Sequence, residues 1–404
     1  MPLARPAALR RELERSFPER PFAVTFWDGS ELAPTGGGQD IPRFVVRDPR
    51  AIAHVLMAPG ELGLGRAYVS GTLDVEPLDA VMPLLDNWEP PPLPAGTRAR
   101  LALAAVRAAG VTRPPRAPSA ELRLRGPLHT RDRDARAVRH HYDLPPEFFA
   151  LFLDASMTYS CAVFSRGAET LEEAQRTKLE MVCTKLALKP RERVLDIGCG
   201  WGSFAIHAAR EHGARVTGIT LSEPQAQLAR ARAKEADVHD RVDIRVMDYR
   251  ALEPGERYDA VASIGMVEHV GEQRIDEYAR EVAALLEPGG RLLNHGIALL
   301  REGDAGAGPF SERYVFPDAK PLQLSRVQLA LERAGFVTRL VEGFADDYAE
   351  TLRQWARRLD DNTARARELA GDERLRVWRL YLRAARNGFE TGFTSIYQVL
   401  ATRA

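Results

Sequence analysis

Residues 193–203 decide the fold of this chain. They read Arg193-Val194-Leu195-Asp196-Ile197-Gly198-Cys199-Gly200-Trp201-Gly202-Ser203. The apolar run from Val194 to Ile197 is typical of a strand buried in a parallel sheet. Three alternating glycines follow, and glycine adopts positive φ and lets a ligand approach the backbone closely. A helix predicted over residues 203–212 would then offer free N–H groups at its start. The stretch therefore predicts a strand, a tight turn and a helix arranged around a small molecule.

The spacing of the glycines distinguishes between the small molecules that such a turn binds. Dinucleotide sites prefer G-x-G-x-x-G, with an acid about 20 residues further on. This chain instead has D-x-G-x-G-x-G from Asp196 to Gly202, and the strand predicted at 214–219 has no acid at its tip. The pattern resembles motif I of class I S-adenosylmethionine (SAM) methyltransferases. The resemblance implies SAM, with a nicotinamide cofactor and a purely structural turn as the alternatives.

Strand and helix patterns alternate after residue 190. Strands are predicted at 193–197, 214–219, 242–246, 258–263 and 290–297, and helices at 203–212, 223–236, 272–286 and 322–334. This alternation indicates an α/β fold with a Rossmann-like, doubly wound parallel sheet, whose ligands bind at the carboxyl ends of the strands. The tail, residues 348–386, shows a helical period that Asn387-Gly388 interrupts.

Composition divides the chain into three parts. Residues 1–88 are predicted to form a small N-terminal α/β domain without obvious catalytic residues, which we interpret as a lipid-docking or dimerisation domain. Proline-rich stretches on either side of a helix at 97–109 predict a linker over residues 89–127. Residues 128–404 form the predicted SAM-dependent methyltransferase domain.

Charge and cysteine content restrict the class of protein. Lys+Arg and Asp+Glu number 56 each among 404 residues, so net charge gives no reason to expect a nucleic acid partner. The cysteines, Cys161, Cys183 and Cys199, show no zinc-binding spacing, so we expect no metal and a reduced cytoplasm. No run approaches 18 apolar residues, and no secretion signal is evident. Any membrane contact is therefore expected to be peripheral.

Arginines are dense between residues 121 and 139. A charge run of this kind is usually a solvated face, and Asp132 and Asp134 partly offset it. Contact with anionic lipid headgroups is the alternative interpretation, and the sequence leaves it open.

Seven further segments, in consistent order, point to one family. They are His140-His141-Tyr142-Asp143 with Phe148-Phe149, Tyr159-Ser160-Cys161-Ala162-Val163-Phe164, Thr220 to Gln225, Gly265-Met266-Val267-Glu268-His269-Val270-Gly271, His295-Gly296-Ile297, Arg313 to Pro317, and Gly343 to Tyr348. Together they resemble the cyclopropane-fatty-acyl-phospholipid synthases and the related mycolic-acid methyltransferases over roughly residues 130–400. The resemblance implies transfer of the SAM methyl group to the cis double bond of an unsaturated acyl chain in a membrane phospholipid.

The resemblance also implies the catalytic residues. This family is taken to hold a bicarbonate ion, the base for one proton, at five positions that are unaltered here: Cys161, Glu268, His295, Ile297 and Tyr348. Taken singly, Cys161 also fits a buried apolar role, and His295 also fits a core histidine. Glu268 and His295 nevertheless fall near the predicted ends of strands, where such folds place their ligands.

The cofactor contacts that the resemblance implies fall into four groups. These are Asp196, Gly198, Gly200 and Gly202 in the turn, Tyr159 and Ser160 over the methionine, Thr220 and Gln225 at the ribose, and Asp248, Tyr249 and Ile264 at the adenine. The mycolic relatives have a tryptophan where Tyr249 stands.

Two products follow from one first step. Loss of a proton from the transferred methyl carbon closes a cyclopropane ring. A hydride shift before that loss instead gives an exocyclic methylene, which a partner reductase would convert to a methyl branch. The motifs leave this choice open, and a small-molecule N- or O-methyltransferase and a non-catalytic lipid-binding protein are alternatives of other classes. We expect peripheral association with the inner leaflet; a homodimer is one option by analogy.

Overall fold

The computed structural model describes residues 6–36, 41–110, 115–124, 130, 133, 136, 144–253, 255–301 and 308–404. His140-His141-Tyr142-Asp143 and most of the arginine-dense stretch lie outside these residues. The chain divides into two compact units. The first comprises Met1–Leu122, Gly308–Tyr314 and Ala370–Ala384, and the second comprises Arg123–Ala307, Val315–Leu369 and Ala385–Ala404.

The helices and strands are numbered along the chain. The helices are α1 Ala7–Ser16, α2 Arg50–Met57, α3 Glu61–Val69, α4 Val81–Asn87, α5 Ala95–Ala109, α6 Pro146–Ala150, α7 Leu171–Lys185, α8 Ser203–His212, α9 Glu223–Glu235, α10 Ile275–Leu285, α11 Gly308–Tyr314, α12 Leu324–Arg333, α13 Ala345–Asp361 and α14 Thr363–Glu390. The strands are β1 Ala23–Thr25, β2 Glu31–Leu32, β3 Arg43–Val46, β4 Leu73–Glu76, β5 Arg193–Ile197, β6 Arg215–Thr220, β7 Val242–Val246, β8 Tyr258–Ile264, β9 Leu286–Leu299, β10 Leu322–Gln323, β11 Phe336–Gly343 and β12 Thr394–Arg403.

The first unit contains a four-stranded sheet in the order β2-β1-β3-β4. A buried ion pair joins α3 to Glu121, near the end of the segment Met1–Leu122. Arg66 donates from Nε and a terminal nitrogen to the two carboxylate oxygens of Glu121, both at 2.7 Å. The side chains are 10% and 1% exposed, so the pair is shielded from water. Tyr314 adds a hydroxyl donor, 3.3 Å from Glu121.

Part of the predicted linker belongs to this unit. Helix α5 buries Ala104, Ala105 and Ala108 in one apolar cluster with Leu9 and Val24. The prolines before the helix suggested a domain boundary, but small alanine side chains allow close approach and create a packing face. The first boundary between the units falls after residue 122, and not at residue 88, and Gly308–Tyr314 and Ala370–Ala384 of the predicted methyltransferase domain belong to the first unit.

The second unit is built on an eight-stranded sheet. Its main path runs β11-β12-β9-β8-β5-β6-β7, and β10 pairs with β9. Strand β5 is parallel to β6 and β8, as the strand–helix alternation predicts. Val194 belongs to the cluster that contains residues of α7, α8 and α9, whereas Leu195 belongs to the one that contains residues of α10 and α12. Because successive strand residues face opposite ways, helices cover both faces of the sheet.

The C-terminal tail differs from the sequence prediction. Strand β12 lies antiparallel between β9 and β11, so the sheet is mixed and not wholly parallel. Helix α14 continues through Asn387-Gly388, where the N–H of Thr391 donates to the carbonyl of Asn387 at 2.9 Å. The departure from helical geometry lies instead at Gly371, with φ of 75°. Within the described ranges, no helix combines the length and apolar character needed to cross a bilayer.

Candidate active site

The glycine turn joins β5 to α8 at the carboxyl edge of the sheet. Gly198, Gly200 and Gly202 have positive φ angles of 79°, 54° and 83°. The N–H groups of Gly198 and Cys199 both donate to the carbonyl of Ile219 at 3.0 Å, which fixes the turn against β6. Asp196, at the end of β5, is buried, and burial raises its pKa to about 7.

Two adjoining cavities meet at this turn, and Gly198, Gly200 and Gln225 line both. The first is also lined by Thr220, Asp248 and Tyr249, and the second by Tyr159, Ser160, Lys178, Asp196 and Ile264. The structure therefore brings together ten of the eleven sequence-predicted SAM contacts. A group as long as SAM, with an adenosine and a methionine part, matches two cavities joined at a glycine turn.

Gly202 and Ile264 occupy places other than those that the sequence indicated. Gly202 lines neither cavity; a Cβ there would lie 3.1 Å from the Cβ of Ala229, so glycine is needed for contact between α8 and α9. Ile264, the last residue of β8, lines the cavity of Tyr159 and Ser160 and not that of Asp248 and Tyr249. It therefore lies with the residues predicted to cover the methionine and not with those predicted to meet the adenine.

Side-chain hydrogen bonds organise the predicted ribose and adenine positions. The hydroxyl of Thr220 donates to Oε1 of Gln225 at 2.7 Å, which orients the amide at the cavity wall. The carboxylate of Asp248 accepts from the guanidinium of Arg250 at 2.8 and 2.6 Å. The Arg250 guanidinium also lies 5.6 Å from the centre of the Tyr249 ring. Sequence reasoning missed Arg250, which lines the same cavity.

Lys178 on α7 is a second residue that sequence reasoning missed. Its side chain is buried, and its Nζ donates to the hydroxyl of Ser160 at 2.9 Å. One turn earlier, the amide of Gln175 donates to the carbonyl of Ser160 at 2.8 Å. Burial lowers the pKa of Lys178 to about 8, although the nearby carboxylates of Asp154 and Asp196 oppose this shift. Helix α7 thus holds the segment predicted to cover the methionine.

Glu268 lies in a short 3-10 turn, Val267–His269, that follows β8. Its Oε1 accepts a hydrogen bond from the backbone N–H of Ile297 at 2.6 Å. Its Oε2 is buried and has no hydrogen-bond partner among the described residues. Burial raises the pKa of the carboxyl to about 7, against the lowering effect of the Ile297 N–H. Glu268 can therefore hold or release a proton at neutral pH.

His295 lies on β9, two residues before Ile297 and thus on the same face of the strand. It is fully buried, and its Nε2 has no hydrogen-bond partner among the residues described. Burial, reinforced by the charges of Lys178 and Lys185, lowers the pKa of the imidazole well below its ordinary value. The ring is therefore neutral, and only one of its two nitrogens carries a proton.

A buried chain of hydrogen bonds decides which nitrogen that is. Gln398 is the cross-strand partner of His295, and its Nε2 lies 3.3 Å from His295 Nδ1. Its Oε1 accepts from Lys185 Nζ at 2.5 Å, and a lysine can only donate, so the amide N–H₂ must face the imidazole. Nδ1 is then the acceptor, and the proton of the neutral ring resides on Nε2, which becomes a donor.

The remaining predicted catalytic residues are arranged around Phe344. The Sγ of Cys161 lies 3.7 Å from the Phe344 carbonyl, and that carbonyl accepts the N–H of Tyr348 at 3.0 Å. The His295 and Phe344 rings are 6.1 Å apart between centroids. Burial raises the pKa of the Cys161 thiol well above its ordinary value, so it is neutral. The structure thus joins Glu268 with Ile297 directly and places Cys161 and His295 against Phe344. Tyr348 meets Phe344 through its backbone, and its ring packs on Trp355 and Phe389.

This fold and its glycine turn define a class I SAM-dependent methyltransferase. A solved structure of a mycolic acid cyclopropane synthase, CmaA1, complexed with SAH and CTAB, aligns with a TM-score of 0.63 at 30% identity. The alignment covers 67% of this chain and 98% of that one.

Comparison of the sequence identifies the family. Residues 129–399 match the family model described as mycolic acid cyclopropane synthetase. A probable fatty acid methyltransferase of Mycobacterium tuberculosis is 38% identical, with 95% of this chain and 92% of that protein covered. The cyclopropane-fatty-acyl-phospholipid synthase of Escherichia coli K12 is 32% identical, with 89% and 87% covered. The chain belongs to this family of SAM-dependent methyltransferases, which modify fatty acyl lipids.

Proposed function

We propose that this enzyme transfers the SAM methyl group to the cis double bond of an unsaturated acyl chain in a membrane phospholipid and closes a cyclopropane ring. The observation that carries the proposal is that two buried polar atoms, Glu268 Oε2 and His295 Nε2, have no hydrogen-bond partner among the described residues. Gly265 links the two cavities to the strand that carries His295, because it lines both cavities and donates its N–H to the carbonyl of His295 at 2.8 Å.

The reaction explains why these groups are kept away from water. An alkene is a weak nucleophile, and its attack on the methyl of the sulfonium forms a C–C bond, breaks the S–C bond and leaves a carbocation. Water would trap that cation, so the site must be dry. Cys161 and His295 are fully buried, which satisfies this requirement. Loss of a proton from the methyl carbon then closes the ring.

The residues fit the bicarbonate ion that the family resemblance implies. The Nε2–H of His295 is a donor, and Glu268 can donate or accept at its Oε2, because its pKa is about 7. Cys161, Ile297 and Tyr348 would complete the site. When bound, bicarbonate would supply the base for one proton. The protein's own part is to orient these donors and to exclude water.

The substrate requires contact with a membrane. Phospholipid acyl chains lie in a bilayer, so we place the enzyme peripherally on the inner leaflet. A vesicle flotation assay tests this placement, with co-migration of the full chain and anionic vesicles expected. Protein that stays at the bottom of the gradient at every lipid composition would contradict it.

The full chain should be incubated with SAM and vesicles of cis-monounsaturated phospholipid, and the acyl products identified by mass spectrometry and NMR. A saturated ring signal is expected. An olefinic methylene signal would show that the product is the methylene-branched acyl chain and not the cyclopropane, and would indicate a reductase partner. Unmodified acyl chains despite measured SAM binding would overturn the proposal in favour of a small-molecule methyltransferase.

Glu268→Gln provides the matched test of the site, because an amide can neither take up nor release a proton there. We expect loss of turnover with a SAM dissociation constant changed by less than about twofold. The exposed Glu287→Gln is the control and should retain turnover. If Glu268→Gln also retains turnover, the site assignment is wrong even if the product is a cyclopropane.

A further inference from the structure

Helices α7 and α8 bring together side chains that methyl transfer does not use. Cys183 on α7 and His207 and His212 on α8 each offer one ligand atom, and these atoms lie within 4.8 Å of one another. Glu180, one helical turn before Cys183, places its Oε2 3.1 Å from the Nε2 of both histidines. None of the four lines the two cavities at the glycine turn. This cluster is therefore separate from the SAM site.

We propose that Glu180, Cys183, His207 and His212 form a structural zinc site. Tetrahedral zinc, bound at about 2.0–2.1 Å by nitrogen or oxygen and about 2.3 Å by sulfur, separates its ligand atoms by about 3.3–3.7 Å. The two 3.1 Å distances from the Glu180 oxygen nearly match that separation. The contacts among Cys183, His207 and His212, which extend to at most 4.8 Å, would contract by about 1 Å, and the Glu180 side chain would turn toward Cys183 to complete the tetrahedron.

The chemistry of the four donors favours zinc over magnesium and calcium. Imidazole nitrogens and a thiolate are ligands of zinc and not of magnesium or calcium. The thiolate and the carboxylate together carry two negative charges, which balance the charge of Zn²⁺. On binding, the Cys183 thiol releases its proton to solvent, and the ion replaces the hydrogens now shared between the histidines and Glu180.

The surroundings provide both enclosure and access. Cys183 is fully buried and His207 is 7% exposed, so the inner side of the cluster excludes water. The side chain of Glu180 is half exposed, which leaves a path from solvent to the site. Four protein ligands with no open position are typical of a structural rather than a catalytic zinc.

The position of the cluster indicates what the ion would do. Helix α8 begins directly after the glycine turn, and α7 carries Lys178, which holds Ser160. Zinc would therefore fasten together two helices that frame the SAM cavities. We expect its removal to lower thermal stability and to affect the chemical step less.

The direct test measures metal in the full chain, purified without a polyhistidine tag. Elemental analysis should give about one zinc per chain. Cobalt added to the metal-free protein should give the visible bands of tetrahedral coordination together with a thiolate-to-metal charge-transfer band. Cys183→Ser should remove the charge-transfer band, and His212→Gln should weaken binding by at least about tenfold.

Controls keep the outcome decisive even if Cys183→Ser, a change in the core, fails to fold. His212 lies near the surface at the end of α8, so His212→Gln should fold, and the exposed His239→Gln should bind metal as the unaltered chain does. Zinc should raise the unfolding temperature of the unaltered chain and of His239→Gln, but not of His212→Gln. No bound metal, cobalt spectra without a thiolate band, or undiminished binding by His212→Gln would overturn the proposal.

Discussion

Replacing Gln398 by glutamate tests how the structure sets the proton of His295. The new carboxylate has nearly the shape of the amide and can accept a hydrogen bond from Lys185 Nζ. Unlike the amide, it has no hydrogen to donate to His295, so it can only accept a hydrogen bond from the imidazole. The imidazole proton must then move to Nδ1, and Nε2 changes from a donor to an acceptor. Arg166 and Lys185 both pair with Glu342, so the local cluster carries one surplus positive charge that keeps a glutamate at position 398 ionised.

The size of the effect follows from the lost hydrogen bond. A hydrogen bond to a charged group contributes about 1.5–3 kcal/mol, which corresponds to about 10- to 150-fold in kcat when it is made in the transition state. The unfolding temperature and the SAM dissociation constant should change little. Gln398→Leu should behave differently, because it leaves Lys185 and His295 both buried without this partner and destabilises the fold by about 1–3 kcal/mol.

The assay is the initial rate of S-adenosylhomocysteine release with saturating unsaturated phospholipid vesicles. Nitrogen NMR of histidine-labelled protein reports independently which imidazole nitrogen of His295 is protonated. Gln398→Glu with an unchanged rate and a confirmed Nδ1–H tautomer would refute this reasoning, since the donor at Nε2 would then be dispensable.

Three further predictions concern stability and cofactor binding. The Glu268 pKa of about 7 exceeds its ordinary 4.5, so the free energy of unfolding of the wild type falls by up to about 3 kcal/mol as the pH rises from about 4.5 to about 7. Glu268→Gln lacks this loss, so in urea unfolding it should be more stable than the wild type by that amount above pH 7 and nearly equal to it at pH 4.5. A Cβ at Gly200 would meet no protein atom within 4 Å, but the residue has positive φ and lines both cavities, so Gly200→Ala should weaken SAM binding about tenfold in calorimetry. A Cβ at Gly202 would press on Ala229, so Gly202→Ala should mainly lower the unfolding temperature. Glu121→Ala strands a buried guanidinium and should cost about 3–5 kcal/mol, and adding Arg66→Met should recover much of it in denaturant unfolding.

Each of these has a clear contrary result. A pH-independent difference between Glu268→Gln and wild type would mean that the carboxyl is not held at a raised pKa. Equal SAM affinities for the two alanine variants would remove the distinction between a cavity glycine and a packing glycine. Additive losses from the Glu121 and Arg66 substitutions would show that the ion pair does not couple the two side chains.

The sequence was sufficient to predict the elements that depend on local pattern. β5, α8 and the glycine turn follow from a short apolar run, three glycines and a helical period, all within 20 residues. The strand–helix alternation likewise predicted β6, β7 and β8 and their parallel pairing. These signals are strong because each element's hydrophobic face is set by its own residues.

Features that depend on distant pairing could not be predicted. Gln398 lies opposite His295 only because β12 pairs antiparallel with β9, and no local pattern specifies that register. Lys178 gave a weak signal, a lysine on the apolar face of a helix, but its contact with Ser160 requires the fold. Ile264 was assigned to the adenine by family resemblance, whereas the structure places it in the wall of the cavity that Tyr159 and Ser160 line.

The most direct test of the central claim uses SAM with a deuterated methyl group and unsaturated phospholipid vesicles. Ring closure requires that a proton leave the transferred carbon, so the acyl product should contain that carbon with two of its three deuterium atoms, within a saturated ring. A product that retains all three, on an acyl chain or on a nitrogen or oxygen atom, would contradict the proposed chemistry.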